Sequence, residues 1–484
     1  MTTATLAAKA KAAGISEEAF RRWQARRRWS RAALVYAVML FFGILLVGPL
    51  LFATVSSLKS DPLEYPPSLN IAQLDPRNWA AAARLGVAGA RDRWFGGFAP
   101  GAVVPFEVRY FVPDGVEAAP PEVVVPRRRP GAGLGAVLRI DFAADYASVS
   151  DVRLVESQAG TVLDADGEAV PGTFLTYGFE ITYEGEGPEV QRLPLDVTAS
   201  PGVRFVGSTL APTRMERRGR TASFDDVAPG VLGYVFHNYV RVFNEVRSPS
   251  TGQSLFLNWI LNSFSYAFFR IVTSIAIATM AGYALARLRF RGRELIFILV
   301  LFAQMIPDQV LFISNYLVLR DGLIDFGGFK LSALWGQPGG LLNSMTGLVF
   351  ISALQTATVF MMKQFFETLP REVEEAASID GASHWQRFSR VVLPMARPAL
   401  GAVVVLQFQG AWNEFFWSFV ILTSPEQVKT LPIGLLSFRN TYGGIGDWGL
   451  ILSGAVLSAL PVIVLFFVFQ RYFLEGVSFG GGKE

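Results

Sequence analysis

The chain has 484 residues, 51% hydrophobic and 17% charged, with a mean hydropathy of +0.36. A soluble domain carries about a quarter of its residues charged, so the composition points to a membrane-embedded protein. A net charge of +3 gives no basic field for nucleic acid, and the lack of cysteine excludes disulfides, thiolate metal sites and cysteine nucleophiles.

The N-terminus is basic, with Arg21, Arg22, Arg26, Arg27, Arg28 and Arg31, and no charge follows from Ala32 to Leu58. That run suits one tilted membrane-spanning helix, and the basic flank predicts a cytoplasmic N-terminus. A cleaved leader is the competing reading, but the apolar run exceeds a typical leader core. Further apolar spans are expected at Leu257–Leu285, Leu295–Leu317, Gly347–Phe366, Pro398–Leu422 and Leu450–Phe469. Six spans put both chain ends on one side. Arg287, Arg289, Arg291 and Arg293, then Arg371, Arg387, Arg390 and Arg397, then Arg471 and Lys483 all fall on that predicted cytoplasmic side. The opposite loops carry fewer cations, among them Arg320, Lys330, Lys429 and Arg439.

Residues 59–255 form an insertion between spans one and two. Phe106–Val112, Ala136–Phe142, Thr173–Tyr183 and Leu195–Thr198 read as strands, rich in β-branched and aromatic residues and punctuated by Gly and Pro. The expectation is a small all-β, sandwich-like domain over about 100–230, outside the membrane, serving as a spacer or as a partner-binding module. The whole chain then divides into a basic N-terminus (1–32), helix 1 (33–58), the insertion (59–255), a helical core (256–476) and a tail (477–484).

The loop after span four reads residue by residue. Pro370 suits a first helical turn, and Glu372, Glu374 and Glu375 favour the helix N-terminus. Gly381 can take the left-handed conformation that ends a helix, and Ser383 with Gln386 makes a capping-box pattern for a second one. Trp385, Phe388 and Val392 share a face of that second helix, and Pro394 is expected to end it. Ala376 and Ala377 are small enough for another backbone to approach. A hydrophilic helix–turn–helix at 370–394, between apolar runs, is poor membrane material and good docking material.

Glu375-Ala376-Ala377, Asp380-Gly381-Ala382 and Leu393-Pro394 resemble the EAA loop of ATP-binding-cassette importer permeases. The resemblance covers span one and the core from about Asn238 onward. Asn262-Ser263, Ala281–Arg287, Trp412–Trp417, Thr430–Gly434 and Gln470–Gly476 are similar to the carbohydrate-importer branch, closest to its maltose-type subunit with six spans. The large insertion departs from that subunit type. The resemblance implies the importer permease fold and a transport subunit rather than an enzyme. It also implies a coupling helix docking in a groove of a cytoplasmic ATPase. The implied partners are a second homologous permease, two ATPase subunits, an extracytoplasmic sugar-binding protein and the lipid bilayer of the cell membrane. The chain has no Gly-x-x-x-x-Gly-Lys-Ser/Thr loop, so no cofactor is expected in it; ATP and Mg would be bound by the ATPase. Its glycine-rich tail, Gly480–Glu484, resembles one that reaches the ATPase interface, or is simply a flexible end.

Ionisable groups at membrane depth are costly and face a cavity or a partner. Glu414, beside Asn413 in span five and preceded by Gln407 and Gln409, can exchange hydrogen bonds with a sugar. Trp412 and Trp417 offer flat faces for pyranose rings. These residues are the candidate translocation path; the bland alternative is bonding between helices. Arg270 in span two is expected to snorkel outward, and Pro307 is expected to kink or break span three beside Asp308. His237 and His384 are too far apart in sequence to suggest a metal motif. The expected function is alternating access for a sugar. A polyol or glycerol phosphate cargo is an alternative, and a membrane-anchored β-domain receptor is a rival of another class.

Overall fold

A computed structural model describes residues 17–59, 71–89, 93–94, 101–125, 147–163, 168–184, 195–210, 214–215, 220–224, 226–248, 251–307, 310–321, 325–326, 329–330, 340–442 and 447–478. It divides into two compact units, Met1–Ser56 and Ser57–Glu484. Helix α1 runs Glu17–Leu58. Its uncharged stretch Ala32–Leu58 exposes large apolar side chains, Leu46 at 76%, as a lipid-facing helix does.

In the second unit, α2 (Pro76–Gly89) precedes nine strands: β1 (Val103–Pro113), β2 (Glu122–Val124), β3 (Ala147–Val149), β4 (Arg153–Leu163), β5 (Ala169–Tyr183), β6 (Leu195–Thr198), β7 (Arg204–Ser208), β8 (Arg214–Met215) and β9 (Thr221–Phe224). One antiparallel sheet has the order β3-β5-β1-β7 with β4 also on β5; the other is β2-β6-β9-β8. Period-two alternation in β1 buries Val104, Phe106, Val108 and Tyr110. They share one core with Leu195 and Val197 of β6 and Phe224 of β9. Phe106 and Phe224 join the sheets edge to face at 4.9 Å. Three of the expected strands are present; the fourth, Ala136–Phe142, lies outside the described residues. The insertion is not all-β, because Ala81 and Ala82 of α2 and Tyr234 of α3 (Gly230–Val235) complete its core.

The helical part begins with α4 (His237–Glu245) and α5 (Leu255–Arg287). The expected third span is not one helix. α6 (Arg293–Met305) stops before Pro307 and α7 (Phe312–Asp321) resumes beyond it, while Asp308 lies outside the described residues. Pro307 cannot donate to the helical ladder, which accounts for the stop. The fourth expected span is α8 (Met345–Ser352) and α9 (Thr356–Thr368), bent by 48°. Then come α10 (Glu372–Ile379) and α11 (His384–Met395), the latter bent by 75° against α12 (Arg397–Trp412). α13 (Phe416–Ile421), α14 (Leu431–Tyr442) and α15 (Trp448–Ser478) complete the chain. Three helices are individually long and apolar enough to cross a membrane, or up to five spans if each bent pair is one, among the described residues.

A buried polar knot closes the insertion onto the helices. The Asn238 amide donates to the carbonyls of Ser57 (2.8 Å) and Lys59 (3.0 Å), and Ser453 of α15 donates to the Ser57 carbonyl at 3.2 Å. Arg241, with 1% of its side chain exposed, forks onto Asp447 just before α15, at 2.7 and 3.3 Å. The chain's entry to the insertion, its exit and the start of α15 thus meet at one point. Removing one partner of such a pair strands a buried charge and costs about 3–5 kcal/mol. Asp447→Ala is expected to lower the unfolding temperature of the purified protein sharply, and Arg241→Met with Asp447→Leu to lower it much less. Equal losses would show that the pair is not what holds this junction.

Candidate functional site

The helix pair at 370–394 forms from its own residues. α10 begins with Glu372, Glu374 and Glu375 in its first turn and ends at Asp380. The Gly381 N–H donates to the Ser378 carbonyl (3.1 Å) and the Ala382 N–H to that of Ala377 (2.9 Å). These two bonds make a Schellman turn, and Gly381 takes the φ of 82° that it requires. The Ser383 hydroxyl then accepts from the Gln386 N–H at 3.3 Å, and the Gln386 side chain accepts from the Ser383 N–H at 2.8 Å. This is the expected capping box. The second helix runs past Pro394 to Met395, so Pro394 sits in its last turn rather than ending it; the turn before, Arg387–Val392, is wound as a π-helix.

The pair has a wet side and an anchored side. Glu375, Ala376, Asp380 and Gly381 are exposed, and Ala377, Ala382, Leu393 and Pro394 are half-buried. Ile379 is 86% and Trp385 65% exposed; the Trp385 ring still lies 5.5 Å from that of Phe388, at the open edge of the face it was expected to share with Phe388 and Val392. Those two are buried in a cluster with Tyr283, Met362 and Phe366, and the rings of Tyr283 and Phe388 lie 5.1 Å apart. The ionic anchor was missed in the sequence. Glu374 points back at α5, where Arg287 Nε approaches Oε1 at 3.2 Å and the Tyr283 hydroxyl donates to Oε2 at 3.3 Å. Arg287 also donates to the carbonyls of Phe366 and Leu369 at the end of α9.

The candidate path residues are separated by the fold into two sets. Trp412 is 2% exposed, stacks on Phe408 at 5.6 Å and donates from its indole to the Ser458 carbonyl at 2.9 Å. Trp417 is 7% exposed and packs edge to face with Phe416. Neither ring offers an open face, so both are core residues in this chain. Gln407 is buried and donates to the Thr358 hydroxyl at 2.5 Å. Asn413 and Gln409 are exposed and Glu414 is partly so. The helix breaks here: Asn413 caps α12, and Glu414 accepts from the Trp417 N–H of α13 at 2.9 Å. Arg270 does not snorkel. It lies midway along α5, is 7% exposed, and approaches Glu414 at 3.8 Å. Among the described residues, no group of three or more His, Asp or Glu could hold a metal ion.

Residues 274–478 match the family described as binding-protein-dependent transport system inner membrane component. The arabinooligosaccharides transport system permease protein AraQ of Bacillus subtilis is 34% identical, over 53% of this chain and 82% of its own length. The chain belongs to this family of inner-membrane transport components. The maltodextrin permease protein MdxG of Bacillus subtilis is 32% identical, over 60% of this chain and 90% of its own. The trehalose/maltose permease protein MalG of Thermococcus litoralis is 30% identical, over 51% and 80%. A solved bacterial ABC transporter that imports the acidic polysaccharide alginate aligns at 25% identity and a TM-score of 0.39, over 49% of this chain and 79% of its own.

In this family member, Glu374 is the only charged contact that α10 makes with α5 among the described residues. Glu374→Gln removes the carboxylate charge that faces Arg287 and that strengthens the Tyr283 hydrogen bond, a loss of about 1.5–3 kcal/mol. Hydrogen exchange across Glu372–Ile379 is expected to accelerate by one to two orders of magnitude at that cost, while exchange in the β-sheets stays unchanged. Unaltered exchange in α10 would remove Glu374 as its anchor.

Proposed function

We propose that this chain is one permease half of an ATP-driven importer for oligosaccharides. The observation that carries the reading is the anchored elbow of α10 and α11. Its polar, small-residue face is open, and its base is fixed to α5 by Arg287 and Glu374. In the proposed assembly, Glu375, Ala376, Ala377, Asp380, Gly381, Ala382, Leu393 and Pro394 meet a cytoplasmic ATPase. Two such subunits bind ATP and Mg, a second permease completes the pathway, and an extracytoplasmic binding protein delivers the cargo. The relatives named for arabinooligosaccharides, maltodextrin and trehalose/maltose support a sugar cargo.

The proposed topology has six spans, with α6–α7, α8–α9 and α12–α13 each crossing as a broken span. Both chain ends and the elbow lie in the cytoplasm, and the β-rich insertion lies outside. Broken helices are tolerated at membrane depth where they line a cavity. The break at Asn413–Phe415 presents Gln409, Asn413 and Glu414, and these residues form the proposed path.

ATP-driven closure of the ATPases would move the elbow as a lever. The φ of Gly381 strains any residue with a Cβ by about 1–2 kcal/mol. Gly381→Val is expected to reduce ATP-driven maltotriose uptake in proteoliposomes at least severalfold while ATP hydrolysis continues, and Gly381→Asn to retain most uptake. Unchanged uptake in Gly381→Val would contradict the lever. Cross-linking from a cysteine at position 379 should capture the ATPase; capture of the extracytoplasmic protein instead would invert the topology.

A further inference from the structure

The proposed path contains a fixed charge that the function so far leaves unexplained. Arg270 is residue sixteen of the thirty-three in Leu255–Arg287, so neither helix end is within reach of its side chain. Desolvating a lone guanidinium at that depth is costly. It is met from two sides. Tyr266, one turn earlier, lies 3.2 Å from Nη1, and Glu414 Oε2 lies 3.8 Å away across the break in the facing helix. Side-chain exposure is 9% for Arg270 and 18% for Glu414, so the carboxylate is the wetter partner, on the side of exposed Asn413 and Gln409. Apart from Arg287 and Arg397 at helix ends, α5, α12 and α13 contain no other charged side chain. Arg270 and Glu414 therefore set the net fixed charge of this stretch at zero.

The pair is not saturated. The 3.8 Å separation is an ion contact rather than a hydrogen bond, and Arg270 Nε is buried without a hydrogen-bond partner. Glu414 Oε1 is committed to the Trp417 N–H, while Oε2 faces the guanidinium. A partly exposed acceptor backed by a guanidinium, with no net charge, suits hydroxyl groups and disfavours a carboxylate or phosphate. An anionic cargo would have to displace Glu414 from Arg270 and leave the partly exposed glutamate beside a second negative charge.

We propose that Arg270 and Glu414 are a specificity-determining pair, which restricts the path to uncharged oligosaccharides by balancing the one buried cation with the one carboxylate. This inference rests on the importer reading and narrows its cargo: it disfavours glycerol phosphate and uronate sugars. It also predicts what happens when the balance is upset. Glu414→Gln leaves an unmatched cation on the path, and that cation becomes a site for an anionic sugar.

The test uses the assembled importer, purified as wild type, Glu414→Gln, Arg270→Gln, the double variant and Arg270→Lys. Trigalacturonate, maltotriose and arabinotriose are the probes. Trigalacturonate is expected to raise the unfolding temperature of Glu414→Gln and to leave wild type and the double variant unmoved; a merely structural pair would not produce that ligand dependence. In proteoliposomes, each Gln single variant should lower uptake of the neutral trisaccharides by about tenfold, and the double variant should recover to within about threefold of wild type. Arg270→Lys, which keeps the charge balance but not the guanidinium, should lower neutral uptake less than Arg270→Gln does and leave trigalacturonate without effect on the unfolding temperature. The proposal is overturned if trigalacturonate stabilises wild type as much as Glu414→Gln, if it stabilises neither, or if the double variant is no better than the singles or fails to assemble. Absence of ATP-driven uptake by wild type would instead refute the importer reading, and the thermal-shift comparison still decides the charge pair.

Discussion

An arginine cannot sit in an apolar slab without a carboxylate, and this constraint organises the helical part. The segment from α4 to the end of α5 contributes three buried arginines, each paired with an acid distant in sequence. Arg241 takes Asp447 before α15, Arg270 takes Glu414 at the break of α12 and α13, and Arg287 takes Glu374 of the elbow. Each pair loses hydration that its Coulombic attraction only partly returns, so their combined contribution to stability is small. What they supply is registry. Any sliding of α5 against its neighbours by one helical turn, about 5.4 Å, would strand Arg270 and Arg287 at once.

The same accounting applies to the backbone. At the break between α12 and α13, and again beyond the end of α13, a side-chain oxygen meets backbone N–H groups that no helix satisfies. Glu414 accepts from the Trp417 N–H at the start of α13. Beyond the end of α13, Asn343 stands in the left-handed region at φ 54°, and its side-chain oxygen accepts from the backbone of Thr423 and Ser424 and from the Thr423 hydroxyl. Asparagine is among the few side chains that tolerate that conformation. Glu414 therefore caps a helix with one oxygen and balances Arg270 with the other, so a single carboxylate links backbone architecture with the proposed selection of cargo.

How much of this was legible in the sequence follows from the range of the interactions. The elbow was readable because its determinants lie within a few residues of one another: acids at a helix start, Gly381 at its end, Ser383 and Gln386 in the box. Strands β1, β5 and β6 were readable from alternation and β-branched content. The break at Pro307 was readable from the missing N–H. The bend between α8 and α9 was not, since Ala353-Leu354-Gln355 contains no breaker, and neither was the break after Trp412, where the signal was a carboxylate acting as a cap. Arg270 was misread because its partner is more than a hundred residues away. Trp412 and Trp417 were misread as open faces because a ring's residue type does not tell which neighbours cover it. Helix α2 entered the β core through two alanines that carry no pattern of their own.

The elements differ in stiffness in a way that fits the proposed lever. α5 is unbroken for 33 residues, about 50 Å. It carries the elbow's anchor at one end and Arg270 at its midpoint. Its backbone approaches that of α9 closely: a Cβ on Gly282 would meet the Lys363 backbone nitrogen at 2.9 Å, so the two helices pack with no side chain between them there. The facing elements are jointed, at Ala353–Gln355 and at Asn413–Phe415. A push on α10 would therefore travel along α5 with little bending and be taken up at the joints it faces, one of which holds Glu414. In the proposed lever, such an arrangement would carry motion from the elbow to the charged pair without requiring the helix that connects them to change shape.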